Sequence, residues 1–257
     1  MKLIEKILQS KKAERFRRFI GKSTGMYLKL KRFTPSTSEA LRTATILNNL
    51  NIKFILDIGA NTGQFAESLF DFNYKGTVIS FEPVTNCYNT LLKRSRKYPN
   101  MIVPEKCAIG NVDQFIDINV TDDTVFSSIL KIKDFHAQLK PKSKIVKKET
   151  VNMFRLDSII DKYIDEKETS ILLKIDTQGF EKEVLEGAKN TLKRIQGIKI
   201  EIPLISIYEN TKFTFYEIID FLKQHNFNPY SFNIEGVNLK TGRVHTIDGL
   251  FIRESNQ

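Results

Sequence analysis

Two kinds of hydrophobic pattern alternate along this chain. Short, continuous apolar runs cover Phe54 to Ile58, Thr77 to Phe81 and Ile171 to Ile175, and the spacing of apolar residues turns helical after each. Unbroken runs of this length are expected of strands buried on both faces, whereas apolar residues three and four apart, such as Phe65, Leu69 and Phe72, mark a helix packed by one side. The same reading predicts a helix from Val84 to Lys97, stopped by Pro99, and a short strand from Met101 to Val103. Alternating apolar positions then give a strand over Gln114 to Val120 and another over Thr150 to Phe154, followed by a helix from Leu156 to Ile164. Further helices are expected at Glu181 to Ile195 and Phe215 to His225, strands at Ile198 to Leu204, Phe227 to Phe232 and Ile247 to Arg253. Lys131 to Glu149, rich in lysine and broken by Pro141, has no clear period and is expected to be a loop over the substrate. Strands alternating with helices predict an α/β fold, a mainly parallel sheet with helices on both faces.

The first strand ends in chemistry. Phe54-Ile-Leu-Asp-Ile-Gly-Ala-Asn-Thr-Gly63 runs from an apolar strand into a turn with glycines at 59 and 63. Such a turn lets the backbone approach a nucleotide, and Asp57 at the strand end can accept hydrogen bonds from a ligand amine or from the turn itself. Asn61 stands where a dinucleotide-binding turn has its middle glycine, which argues against a pyrophosphate. The second strand ends in Glu82, nineteen positions after Gly63 and just before Pro83. A carboxylate there can accept from both hydroxyls of an adenosine ribose. Adenosine without a pyrophosphate clamp points to S-adenosylmethionine.

Taken together, Asp57-Ile-Gly-Ala-Asn-Thr-Gly63, Phe81-Glu82-Pro83, Leu156-Asp157, Leu172-Leu-Lys-Ile-Asp-Thr-Gln-Gly-Phe-Glu181 and Val184-Leu-Glu-Gly-Ala188 resemble, in order, the landmarks of the FkbM family of class I methyltransferases. The likeness spans residues 54 to 253, and the Lys174 to Glu181 block is its most specific part. It implies a Rossmann-like domain with a seven-stranded sheet, an antiparallel end strand, S-adenosylmethionine as cofactor and transfer of methyl to hydroxyl oxygens. The expected cofactor residues are Asp57, Gly59, Ala60, Asn61, Gly63, Glu82, Ser127 and Asp176. Ser127 enters because Phe126-Ser127-Ser128 resembles a small-residue segment of the family that approaches the cofactor.

A hydroxyl acceptor must lose its proton on attack, so a base is needed. Asp176 and Glu201, both at predicted strand ends, are the first choices, followed by His136 in the lysine-rich loop. Glu181 suits either the site or the N-terminus of the following helix through the helix dipole. No metal is expected, since Asp122-Asp123 read as solvated turn residues. The acceptor classes, in order, are a sugar, glycolipid, polysaccharide or secondary metabolite, then an RNA ribose; a non-catalytic cofactor-binding module is the third reading.

Composition changes one part of this picture. Of the net charge of +10, residues 1 to 40 contribute +8, from eleven Lys or Arg against three Glu. Leu3, Ile4, Ile7, Leu8, Phe16, Phe19 and Ile20 recur there at helical spacing, so residues 1–45 read as a basic amphipathic helical extension before a methyltransferase domain at 46–257. Its apolar face can pack on the domain or a second copy of the chain, lie on an anionic membrane surface, or serve nucleic acid, in that order. Two cysteines without metal-type spacing, no run long enough to span a bilayer and no signal-peptide pattern make a cytoplasmic protein, with access to the inner membrane face, the expected one.

Overall fold

The computed structural model describes residues 33–122, 124, 127–130, 144–205 and 213–253. Helix α1 (Glu39–Asn49) precedes β1 (Phe54–Ile58), α2 (Gln64–Asp71), β2 (Thr77–Phe81), α3 (Thr85–Ser95) and β3 (Met101–Ile102). Three strands, β4 (Ala108–Gly110), β5 (Gln114–Thr121) and β6 (Ile145–Arg155), follow. Then come α4 (Leu156–Ile159) with a 3-10 turn, β7 (Ile171–Ile175), α5 (Glu181–Glu186), β8 (Ile195–Pro203), α6 (Phe215–Gln224), β9 (Phe227–Val237) and β10 (Val244–Arg253).

Seven strands form one sheet in the order β3-β2-β1-β7-β8-β10-β9, and β4-β6-β5 form a second, smaller one. β3, β2, β1, β7 and β8 are parallel, and the β9–β10 hairpin closes the edge with β10 antiparallel to β8. This is the expected Rossmann-like methyltransferase sheet. The apolar runs are strands because both faces are covered. Leu56, Ile58, Leu173 and Ile175 pack into a core on the α5 and α6 side, and Ile55 and Leu172 into another beneath α1 and α2. All are at most 1% exposed, which at roughly 1.5–3 kcal/mol for each fully buried aliphatic side chain makes this double layer the main source of stability.

Chain order reverses between β1 and β7. From β1 the chain winds outward through β2 and β3, then returns to lay β7 on the other side of β1. Such a switch leaves a crevice beyond the carboxyl ends of both strands.

Four expectations need correction. β6 begins at Ile145, inside the stretch read as a loop; its first residues, Ile145 to Lys148, are exposed, so no alternation marks them. The helix expected to run to Ile195 stops at Glu186, because the next residue, Gly187, packs backbone to backbone on Gly110, where a Cβ would stand 1.8 Å from the Gly110 carbonyl oxygen. The helix from Leu156 tightens into a 3-10 turn after one turn. Strand β4 has only three residues, too few for a period, and was not expected. Helix α1, capped by Ser38 and burying Thr43, Ala44 and Leu47, crosses position 45 and belongs to the core beneath the sheet. The amphipathic pattern of residues 3–20, the 131–143 part of the lysine-rich loop and His136 lie outside the described residues.

Candidate active site

The turn after β1 is built by its glycines. Gly59 has φ +78° and packs so tightly on β7 that an added Cβ would stand 2.0 Å from the Asp176 carbonyl oxygen. Gly63, at φ +88°, opens α2 against Leu91 and Met101. The amides of Gly59 and Ala60 both donate to the Phe81 carbonyl, fastening the turn to the end of β2. Asn61 takes φ +49°, a left-handed conformation that asparagine tolerates better than most residues.

Glu82, 5% exposed, completes this corner. Its Oε2 accepts the Asn61 N–H at 2.7 Å and its Oε1 the Val84 N–H at 2.8 Å. A carboxylate oxygen has room for a second donor, so each still has a lone pair free of these amides. Burial pushes the Glu82 carboxyl up to about 7, against the two amides that favour its charge.

Asp57 is placed differently from the other expected residues. It is fully buried beneath the turn, in register with Lys174 on β7, whose Nζ lies 3.0 Å from its Oδ1. Burial raises the Asp57 pKa and Lys174 opposes the rise. The same ammonium reaches the Gly59 carbonyl at 3.4 Å, so the pair supports the turn from below. Asp57, Ala60 and Gly63 do not line the cavity that the turn borders.

That cavity occupies the switch point and, counted with the solvent in its open mouth, holds about 750 Å³. Gly59, Asn61, Glu82, Ser127 and Asp176, five of the residues named for the cofactor, line it, together with apolar walls from Phe81, Val84, Ala108, Ile109 and Phe180. The smaller sheet supplies one side. Thr85 on α3 donates to Glu149 of β6 through both its N–H and its hydroxyl, at 2.9 and 2.6 Å, and Ser128 donates to the Gln178 carbonyl at 2.7 Å. Ser127 contacts the amide of Thr121 at 3.1 Å and its hydroxyl at 3.3 Å.

On the opposite wall Asp176 leaves the end of β7 with its side chain 41% exposed. Burial works against its charge, but Lys174 at 3.4 Å and the Gln178 amide at 2.8 Å outweigh that and hold its carboxyl below the ordinary range. Glu201, on β8, does not line the cavity. It lies behind Gln178, whose Nε2 donates to its Oε2 at 2.8 Å. Burial first, then the like charges of Asp176, Glu181 and Asp248, push its carboxyl well above the ordinary range. The two carboxyls chosen as candidate bases are thus pushed in opposite directions. Only Asp176 meets the cavity.

Glu181 holds the second turn from within. Its Oε1 accepts from the Thr177 amide at 3.2 Å, the Thr177 hydroxyl at 3.3 Å and the Gly179 amide at 2.9 Å, and burial raises its carboxyl to about 6. Gln178 was expected only as part of the Lys174 to Glu181 block. Its left-handed φ of +57° beside Gly179 is the sign of its role. Beyond Glu201, the carboxylates of Glu39, Glu235 and Asp248 converge, with the Lys199 ammonium paired to Glu39 at 3.1 Å and to Asp248.

A family profile described as the methyltransferase FkbM domain matches residues 57–229, more than half of the chain. No curated protein sequence matches. Among solved structures, methyltransferase FkbM from Methylobacillus flagellatus KT aligns with 77% of this chain and 43% of its own, at 15% identity and a TM-score of 0.44. The chain therefore spans less than half the length of that protein. TehB from Haemophilus influenzae aligns over 93% of this chain and 67% of its own, at 12% identity and a TM-score of 0.46. Magnesium protoporphyrin IX methyltransferase (ChlM) from Synechocystis PCC 6803, solved with bound SAM, aligns over 98% and 96%, at 8% identity and a TM-score of 0.44. By its match to the family profile, the chain belongs to the FkbM family of methyltransferases, which use S-adenosylmethionine.

Proposed function

We propose that this methyltransferase acts on a hydroxyl oxygen of a polyhydroxylated acceptor: a sugar, glycolipid, polysaccharide end or related metabolite. The observation that carries the reading is the state of Asp176, a partly exposed carboxylate on the cavity wall that Lys174 and Gln178 hold ionised. An alcohol needs such a group to take its proton.

S-adenosylmethionine supplies an electrophilic methyl group on a sulfonium. The donor set fits it. Glu82 offers one open lone pair on each oxygen for the ribose hydroxyls, Phe81, Val84, Ala108 and Phe180 give an adenine-sized apolar wall, and the Asp176 carboxylate complements a cation. The rest of the work falls to the protein. The Gly59 turn sets the floor of the cavity, the apolar walls exclude water, and Asp176 accepts the acceptor's hydroxyl proton as its oxygen attacks. Alignment of the two reactants accounts for much of the rate.

A polynucleotide suits this rim poorly. Among the described residues that line the cavity, Glu82 and Asp176 are carboxylates and none is Lys or Arg, and phosphates need the reverse balance. Carboxylates suit sugar hydroxyls, which donate to them. Incubating the full chain with methyl-labelled cofactor and fractionated extract of the source cell tests the reading. Label in saccharide or glycolipid is expected, and label confined to RNA or to protein nitrogens overturns it.

A further inference from the structure

The geometry points to Gln178 as the positioning residue of the base: its single amide nitrogen ties Asp176 to Glu201, so that the two carboxyls work as one unit and Asp176 is the member presented to the cavity. This rests on reading Asp176 as the base and adds how that base is held.

Three observations converge on Gln178. Its Nε2 stands 2.8 Å from Asp176 Oδ1 and 2.8 Å from Glu201 Oε2, so both amide hydrogens are spent on the two carboxyls. Its backbone takes φ +57°, an uncommon conformation for a side chain of this kind, next to Gly179 at φ +98°. That conformation is held from two directions. Ser128 donates to the Gln178 carbonyl at 2.7 Å, and Glu181 accepts the Gly179 and Thr177 amides. Left-handed backbone away from glycine persists only where the surroundings over-determine it, and it gathers at functional sites.

The charges around the pair explain why a neutral amide belongs there. From β7, Lys174 faces Asp176; from β1, Asp57 faces Lys174; from α5, Glu181 adds negative charge; from β8, Lys199 is paired with Asp248 of β10 and Glu39 of α1. Two carboxyls so close do not both ionise readily, so one proton is shared between them. Lys174 lies on the Asp176 side, which leaves the proton on Glu201, as their opposite shifts indicate. Gln178 donates to the ionised member and keeps its oxygen at the cavity wall. A carboxylate that loses such a donor becomes harder to ionise.

Titrating the cofactor-free full chain tests this, with carboxyl 13C resonances assigned through Asp176→Asn and Glu201→Gln. The wild-type pair is expected to titrate in two separated steps. Gln178→Gly removes the amide yet suits the φ of +57°, so the fold should be kept. The lower step should then rise by about one pH unit, the loss expected of one charge-assisted hydrogen bond at a partly exposed site. Gln178→Met, close in length and uncharged but without the donor, should move it the same way. A lower step that stays put in both variants overturns the inference, because a merely structural residue would move Tm and leave the titration alone. Should Asp176→Asn methylate normally while these shifts appear, the reading of Asp176 as base fails and the role of Gln178 in holding the pair stands.

Discussion

Asp57 and Lys174 face each other across two adjacent parallel strands, in register, with 3.0 Å between Nζ and Oδ1. Asp57 is fully buried and Lys174 is 7% exposed. Charges this deep are tolerated only as a pair, since a lone one would have to be desolvated without compensation. Their place under the Gly59 turn, with the ammonium also reaching the Gly59 carbonyl, makes the pair a support for that turn. Lys174→Met, which strands Asp57, is expected to cost about 3–5 kcal/mol in urea denaturation. Asp57→Asn with Lys174→Met should recover much of that loss, because no uncompensated charge remains. A double variant as unstable as the single one would show that the pair is not the unit.

Gly59 offers a sharper test of the same corner. Any side chain there meets the Asp176 carbonyl and forces a φ of +78° that L-residues avoid. Left-handed backbone alone costs about 1–2 kcal/mol, and the overlap adds to it. Gly59→Ala should therefore lower stability by more than about 2 kcal/mol and abolish calorimetric binding of S-adenosylmethionine. Gly242, also at positive φ but with open space around it, is the control. Gly242→Ala should cost about 1–2 kcal/mol and leave binding intact.

These two positions show what sequence could and could not say. The strands were legible because burial on both faces forces unbroken apolar runs, and the Gly59 and Gly63 turn because only glycine suits its conformation. Glu82 was legible from its place at a strand end. The burial of Asp57 was not, since a carboxylate at a strand terminus reads the same whether it meets ligand or a lysine on the next strand. Neither was the difference between Asp176 and Glu201, which rests on Lys174 and on an amide, Gln178, that meets Glu201 from 23 residues earlier in the chain. Strand β6 was half hidden because its exposed lysines carry no alternation.

Glu82 gives a prediction with a defined pH window. Its carboxyl is raised from 4.5 to about 7 in the fold, so the native state holds a proton that the unfolded chain has already released between those values. Stability from this group is full below pH 4.5 and declines as pH rises to about 7. Measured as urea midpoints, wild type should lose up to about 3 kcal/mol relative to Glu82→Gln across that interval. Cofactor affinity should run the other way, strengthening toward pH 8 as the carboxylate forms and can accept from two hydroxyls. Glu82→Ala should weaken binding by at least about tenfold, the order of one or two charge-assisted hydrogen bonds. Affinity that ignores both the substitution and the pH would remove Glu82 from the cofactor site.

Asp176 and Glu201 are separated by substituting each with its amide. Asp176→Asn keeps the shape and removes the base, so kcat should fall by about 10²–10⁴, with the dissociation constant of S-adenosylmethionine changed only a few-fold. Loss of affinity with kcat intact would instead assign Asp176 to the cofactor. Glu201 is expected to be protonated and lies behind Gln178, away from the cavity. Its substitution by Gln removes no base and should cost less than about tenfold. The two outcomes are tied by charge, since Glu201 ionises only once Asp176 already carries its negative charge. Raising the pH through the Glu201 transition should therefore lower stability in wild type, because its folded pKa lies above the unfolded one and the shared proton is lost. Glu201→Gln should flatten that decline while leaving the acid limb of the activity profile, which belongs to Asp176, in place.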